Sequence, residues 1–167
     1  MSNDFPQKLE VVSKIQSEFP MCMVGGSFVL NYFNIINRSI NDLDIIIPIK
    51  YKKNALEYFK PRMNLKNIFL YIYENFSNII NLTKNTDDNH IKIKYDETKM
   101  CLFFVDYNDC YCLNVNDKKI KITKIDRIID AKQSYINNEK DIYPSKCAVK
   151  HKEDIQEYDK KKKTVDR

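Results

Sequence analysis

The chain has two glycines in 167 residues, and they are adjacent. Gly25 and Gly26 lie in Met23-Val24-Gly25-Gly26-Ser27, between a short apolar run and a segment whose apolar residues recur at helical spacing. A sequence that uses glycine nowhere else keeps it where a Cβ would obstruct a turn or a close approach. The pair therefore predicts a sharp turn from a strand into a helix, with Ser27 capping that helix. Soon afterwards Asp42-Leu43-Asp44-Ile45 sets two carboxylates on alternate residues of an apolar run.

The remaining pattern extends this strand, turn, helix unit on both sides. Leu9, Val12, Ile15 and Phe19 predict a helix over residues 5–19, stopped by Pro20, and residues 21–24 form a short strand. Phe28, Leu30, Tyr32, Phe33 and Ile36 give the next helix a wide apolar face, and residues 37–41 are a polar connection. A buried strand over 42–47 ends at Pro48, and a helix follows over 51–59. Residues 68–76 fit a helix, 79–83 fit its continuation or a strand, and 84–89 read as a loop. Alternation over 91–95, a turn at 96–99 and an apolar run over 100–105 predict a hairpin that delivers Asp106 at its end. A smaller hairpin, 111–115 with 120–122, turns at Asn116-Asp117. Ile125, Ile128, Ile129 and Tyr135 mark a helix, and after a loop around Pro144 residues 148–158 form the last one. Residues 160–163 then read as a frayed charged end. The expected class is α+β, a small mixed β-sheet packed with helices in a single domain over 1–167.

Composition narrows the function classes. With 43% hydrophobic and 31% charged residues the chain is globular, not disordered. Its net charge of +5 is drawn largely from the 160–163 lysines, so it is compatible with RNA without requiring it. Five cysteines, an odd number mostly within apolar runs, read as reduced core residues, and no signal peptide is evident; the expected location is cytoplasmic. Cys110-Tyr111-Cys112 lacks a zinc knuckle's spacing, and His90 and His151 are too dispersed to complete one. The longest apolar stretch, 68–80, is broken by Glu74, Asn75 and Asn78, so no membrane span is expected.

The chemistry follows from the acids and the glycines. On a strand, Asp42 and Asp44 point the same way while Leu43 and Ile45 enter the core. Two carboxylates so close repel unless a cation lies between them, and a hard ion such as Mg²⁺, shared with substrate phosphates, resolves the conflict. Asp106 is the candidate third carboxylate, with Asp109 as the alternative. Three acids on neighbouring strands would suit two metal ions clamping an in-line phosphoryl substitution. Gly25 and Gly26 would let a phosphate approach backbone N–H groups, assisted by the Ser27 hydroxyl.

Met21 to Ile47, read as Val24-Gly25-Gly26-Ser27, a helix, and Asn41-Asp42-Leu43-Asp44-Ile45, resembles the signature of the polymerase beta-like nucleotidyltransferases, especially small antibiotic and abortive-infection toxin-type members. The resemblance implies that fold, an NTP donor such as ATP, and transfer of its nucleoside monophosphate to a hydroxyl acceptor, a small molecule, protein or RNA. It implies triphosphate binding by Gly26 and Ser27 and metal binding (Mg²⁺, with Mn²⁺ as substitute) by Asp42, Asp44 and Asp106, the last also helping to deprotonate the acceptor. Lys132 and Lys150 resemble the basic residues of the family's downstream helices that meet the triphosphate. Arg38 is a further phosphate candidate, and Tyr107 and Tyr111 are rings able to stack on a base or to pack structurally. The rival expectation is a non-catalytic RNA- or protein-binding module that retains the fold.

Overall fold

A computed structural model describes residues 2–62, 90–95, 97–138 and 146–165. The helix expected over 68–76, the segment at 79–83 and the loops at 84–89 and around Pro144 lie outside these residues. The described elements are α1 (Phe5–Glu18), β1 (Met23–Val24), α2 (Gly26–Tyr32), β2 (Leu43–Pro48), α3 (Lys52–Phe59), β3 (His90–Tyr95), β4 (Thr98–Val105), β5 (Cys110–Val115), β6 (Lys118–Thr123), α4 (Ile125–Asn138) and α5 (Lys146–Val165). Among the described residues, five helices pack with one six-stranded mixed sheet of order β3-β4-β2-β1-β6-β5. The α+β expectation is met.

β2 sits near the middle of this sheet, antiparallel to β1 and parallel to β4. β1 is also parallel to β6, and the two hairpins, β3 with β4 and β5 with β6, extend the sheet outwards. Alternation assigns the faces. Leu43, Ile45 and Ile47 share the inner face with Met100, Leu102 and Phe104 and are buried with Leu9, Val12 and Ile15 of α1. Phe5 stacks on Phe28 at 4.7 Å, joining α1 to α2. The outer face carries Asp44 and Ile46 on β2 opposite Cys101 and Phe103 on β4, and Thr123 on β6.

Several boundaries differ from the sequence reading, each for a local reason. α2 stops at Tyr32 instead of reaching Ile36, because Asn34 turns left-handed (φ 54°) and the Ile35 N–H returns to the Leu30 carbonyl at 2.8 Å. Ile35, Ile36 and Ile40 still enter the core, as plugs from an irregular segment. Ser27 does not cap: Gly25 holds the N-cap position, with no side-chain cap bond. The β3–β4 turn is tighter than expected, since Tyr95 pairs with Thr98 and Glu97 adopts φ 66°. The lysine run at 160–163 is helical, part of α5 as far as Val165. A Lys160–Glu157 ion pair at 2.7 Å supports it, and cations suit a helix C-terminus.

Candidate active site

The glycine pair is explained first by the acid opposite it. The Gly25 N–H donates to the Asp44 carbonyl at 2.9 Å, extending the β1–β2 ladder into the turn. Gly26 has φ 58°, and a Cβ built there would fall 1.7 Å from Asp44 Oδ2. The space a side chain would need is thus filled by the Asp44 carboxylate, which lies directly against the turn. The expected cradle is therefore narrower than the sequence implied: α2 has only seven residues, and the room beside Gly26 belongs to the protein's own acid. Ser27 faces a different partner, its Oγ accepting from Arg38 Nη2 at 3.2 Å.

Asp42 stands exposed just before β2, and Asp44 is half-buried on it. Burial pushes the Asp44 carboxyl up to about 6; the Lys132 and Arg38 cations pull it down, while the Asp42 charge adds to the rise.

Asp106 does not join them. In the parallel β2–β4 register Asp44 is opposite Cys101 and Pro48 opposite Val105, so Asp106 lies five residues further along the strand direction than Asp44. At about 3.3 Å per residue that is roughly 16 Å, far outside a shared coordination sphere. Asp109 is no substitute, because it sits beyond Asp106 in ion pairs with Lys124 at 3.3 Å and Arg127 at 3.2 Å. The residue the sheet sets beside Asp44 is Cys101, whose thiol is pushed up to about 12 by burial and then by Asp44 and Asp42. It is a neutral thiol at physiological pH. Among the described residues no group of three or more His, Cys, Asp or Glu side chains is arranged to hold a metal. Asp42 and Asp44 therefore fit one hard divalent cation completed by phosphate or water oxygens, and do not fit the expected two-ion clamp.

Behind the acids lies a buried charge cluster. Lys132 on α4 is 8% exposed, with Nζ 3.0 Å from Asp154 Oδ2 and 3.2 Å from His151 Nδ1. Arg38 Nη2 donates to the same Asp154 oxygen at 2.7 Å. Asp154, 2% exposed on α5, thus holds two cations against the Asp44 side of the sheet. Three carboxylates, Asp42, Asp44 and Asp154, face two cations, which leaves one negative charge for a further cation to balance. Lys132, a phosphate candidate from the sequence, lies in this cluster and lines the same cavity as Asp44. Lys150 does not: it is exposed on α5 with no bond to the cluster. The sequence reading passed over Asp154, although an Asp in the stripe of Ala148, His151, Ile155 and Tyr158 interrupts the apolar face of a helix, the visible signal of a buried acid.

A cavity of about 180 Å³ opens beside Asp44, between the outer face of the sheet and α4. Asp44, Lys132 and His151 line one part of it, and Phe103, Val105 and Tyr107 another. The Phe103 ring stacks on His90 at 4.5 Å and 3°, and the Arg127 guanidinium lies 4.3 Å from the centre of the Tyr107 ring. Tyr111, 54% exposed, contacts Lys124 and does not line this cavity. All five cysteines are free thiols, and among the described residues no helix is long and apolar enough to cross a membrane. Compared with models of known families, with curated proteins and with solved structures, the chain matches none.

Proposed function

We propose that this protein binds a nucleoside triphosphate with a divalent cation and transfers its nucleoside monophosphate to a hydroxyl acceptor. The observation that carries the reading is the Asp44 carboxylate set against the Gly26 turn, with the Asp42 charge near enough to act on it and the Lys132 and Arg38 cations acting from the other side. Strand, glycine turn, helix and acidic strand occur in the order the nucleotidyltransferase resemblance implies, and β1 and β2 are neighbours in the sheet. Asp42 and Asp44 would hold one Mg²⁺ or Mn²⁺, whose charge would screen the triphosphate from the acids. Lys132 and Arg38 supply positive charge to phosphate oxygens and are kept in place by Asp154. An acceptor hydroxyl in line with the α-phosphate would then form the new O–P bond, losing its proton to solvent water, as pyrophosphate departs with the electrons of the broken bond.

A second reading, nucleotide binding without transfer, is favoured by one observation: Cys101 occupies the position beside Asp44 where a third acid would stand. Calorimetric titration with α,β-methylene nucleoside triphosphates, with and without Mg²⁺ and beside an Asp42→Asn/Asp44→Asn variant, tests the binding that both readings share. Mg²⁺-dependent binding lost in the variant is expected; its absence with every nucleotide refutes both. Release of pyrophosphate from α-labelled triphosphates, with label moving to an acceptor fraction, separates them.

A further inference from the structure

We propose that the cavity between the outer sheet face and α4 is the subsite for the base of the bound nucleotide, an inference that rests on the nucleotide reading above. Its position requires little adjustment, because Asp44 and Lys132 line the same cavity as the aromatic residues. A phosphate chain at the first pair places a ring attached through the sugar against the second group.

The cavity is built for a flat ring. Its walls are Ile46, Phe103 and Val105 from the sheet and Ile128 and Ala131 from α4, with Tyr107 at one side. Two of the rings are held before any ligand arrives, Phe103 by its parallel stack on His90 and Tyr107 by Arg127. Tyr135, 46% exposed, also lines the cavity and stands where the cavity meets solvent.

An unpartnered polar group points independently to a ligand. Thr123 is 1% exposed and lines the cavity, and its Oγ finds no hydrogen-bond partner among the described residues. A buried hydroxyl without a partner is costly, and a ring bearing nitrogen or exocyclic oxygen at its edge supplies the missing bond. An apolar slot with one buried hydroxyl is the chemistry of a nucleobase site: faces are stacked, and one edge is read.

The test compares Mg²⁺ with ATP, GTP, CTP or UTP in α,β-methylene form against Mg²⁺ with inorganic tripolyphosphate, in wild-type protein and two variants. Ala131→Trp fills the cavity, and Thr123→Val removes the hydroxyl at constant shape. At least one nucleotide is expected to bind wild-type protein tighter than tripolyphosphate by about five- to 150-fold, the worth of one stacked base. Ala131→Trp abolishes that advantage and leaves tripolyphosphate binding unchanged. Thr123→Val lowers affinity for the preferred nucleotide about three- to tenfold and does not lower the melting temperature. Should Ala131→Trp and Thr123→Val both bind nucleotide as wild type does, the subsite is wrong while the nucleotide reading stands. Equal affinity of wild type for tripolyphosphate and every nucleotide also overturns the subsite. If wild type binds neither, the nucleotide reading fails and the subsite with it.

Discussion

Replacing Gly26 by alanine tests the contact on which the site is built. At φ 58° a non-glycine residue costs about 1–2 kcal/mol from its own backbone. That part is independent of Asp44. The second part is not, because the new Cβ would lie 1.7 Å from Asp44 Oδ2 and 2.7 Å from Asp44 Cγ. Both are inside any real contact, so the carboxylate must leave its rotamer and its place beside Lys132, at about 1–2 kcal/mol more. Gly26→Ala should therefore destabilise the wild-type protein by about 2–4 kcal/mol. In an Asp44→Ala background the same change meets no carboxylate and should cost only the backbone part.

The four proteins form a double-mutant cycle with an expected coupling of about 1–2 kcal/mol, measured by urea denaturation followed by far-ultraviolet circular dichroism in chelator. Mn²⁺ binding by electron paramagnetic resonance gives a second readout, which Gly26→Ala should lose along with Asp44→Ala. Coupling below about 0.5 kcal/mol would refute the argument, since the glycine would then serve the turn alone.

Three further perturbations have definite outcomes. Asp44→Asn should stabilise the metal-free protein at pH 7.5: the native carboxyl titrates near 6 against 3.8 unfolded, so ionisation costs stability that is lost as pH rises from about 4 to 6. The upper bound is about 3 kcal/mol, the advantage should vanish at pH 4, and a pH-independent difference in denaturation midpoints would contradict the assignment. Asp154→Ala strips the shared partner from Lys132 and Arg38 and should cost about 3–5 kcal/mol in urea, whereas Lys150→Ala should stay within about 0.5 kcal/mol. Cys101→Asp sets a third acid beside Asp44 and should lower the melting temperature in chelator while raising Mn²⁺ affinity; unchanged affinity would mean that β4 does not present position 101 to the ion.

What the sequence made legible divides by the range of the interaction that decides it. Local devices were readable: the strand, Gly25-Gly26 and α2, the alternation that turns Leu43 and Ile45 into the core and Asp44 away from them, and the Asn116-Asp117 turn, where both residues adopt positive φ. Lys132 was named only through the family resemblance: its own spacing marked a helix, and its burial comes from α5. Register was not readable. Met100 to Val105 is recognisable as a strand, but nothing within it says whether Cys101 or Asp106 lies beside Asp44, because a parallel neighbour's offset is set by the whole packed sheet. Asp154 was missed for a related reason: its partners, Arg38 and Lys132, are 116 and 22 residues away.

That offset decides more than one ligand. With Asp106 at the far end of β4, the acid beside Gly26 is Asp44, its carboxylate neighbour in charge is Asp42, and the third carboxylate of the cluster, Asp154, points its charge at Arg38 and Lys132 instead. Yet an apo site of only opposed pairs would have no use for Asp42, which is exposed and whose charge works against the ionisation of Asp44. A carboxylate that raises its neighbour's pKa and makes no bond of its own among the described residues is hard to explain as a stabilising residue. It is easy to explain as half of a site that stays one charge short until a cation arrives. The same arithmetic applies to Arg38 and Lys132: Asp154 neutralises only one of the two, and the other balances Asp44 until a phosphate oxygen competes for it. With one net negative charge the empty cluster repels a polyanion and attracts a divalent cation, which is why triphosphate binding should depend on the cation, and why a titration with triphosphate alone should show weaker binding than the pair.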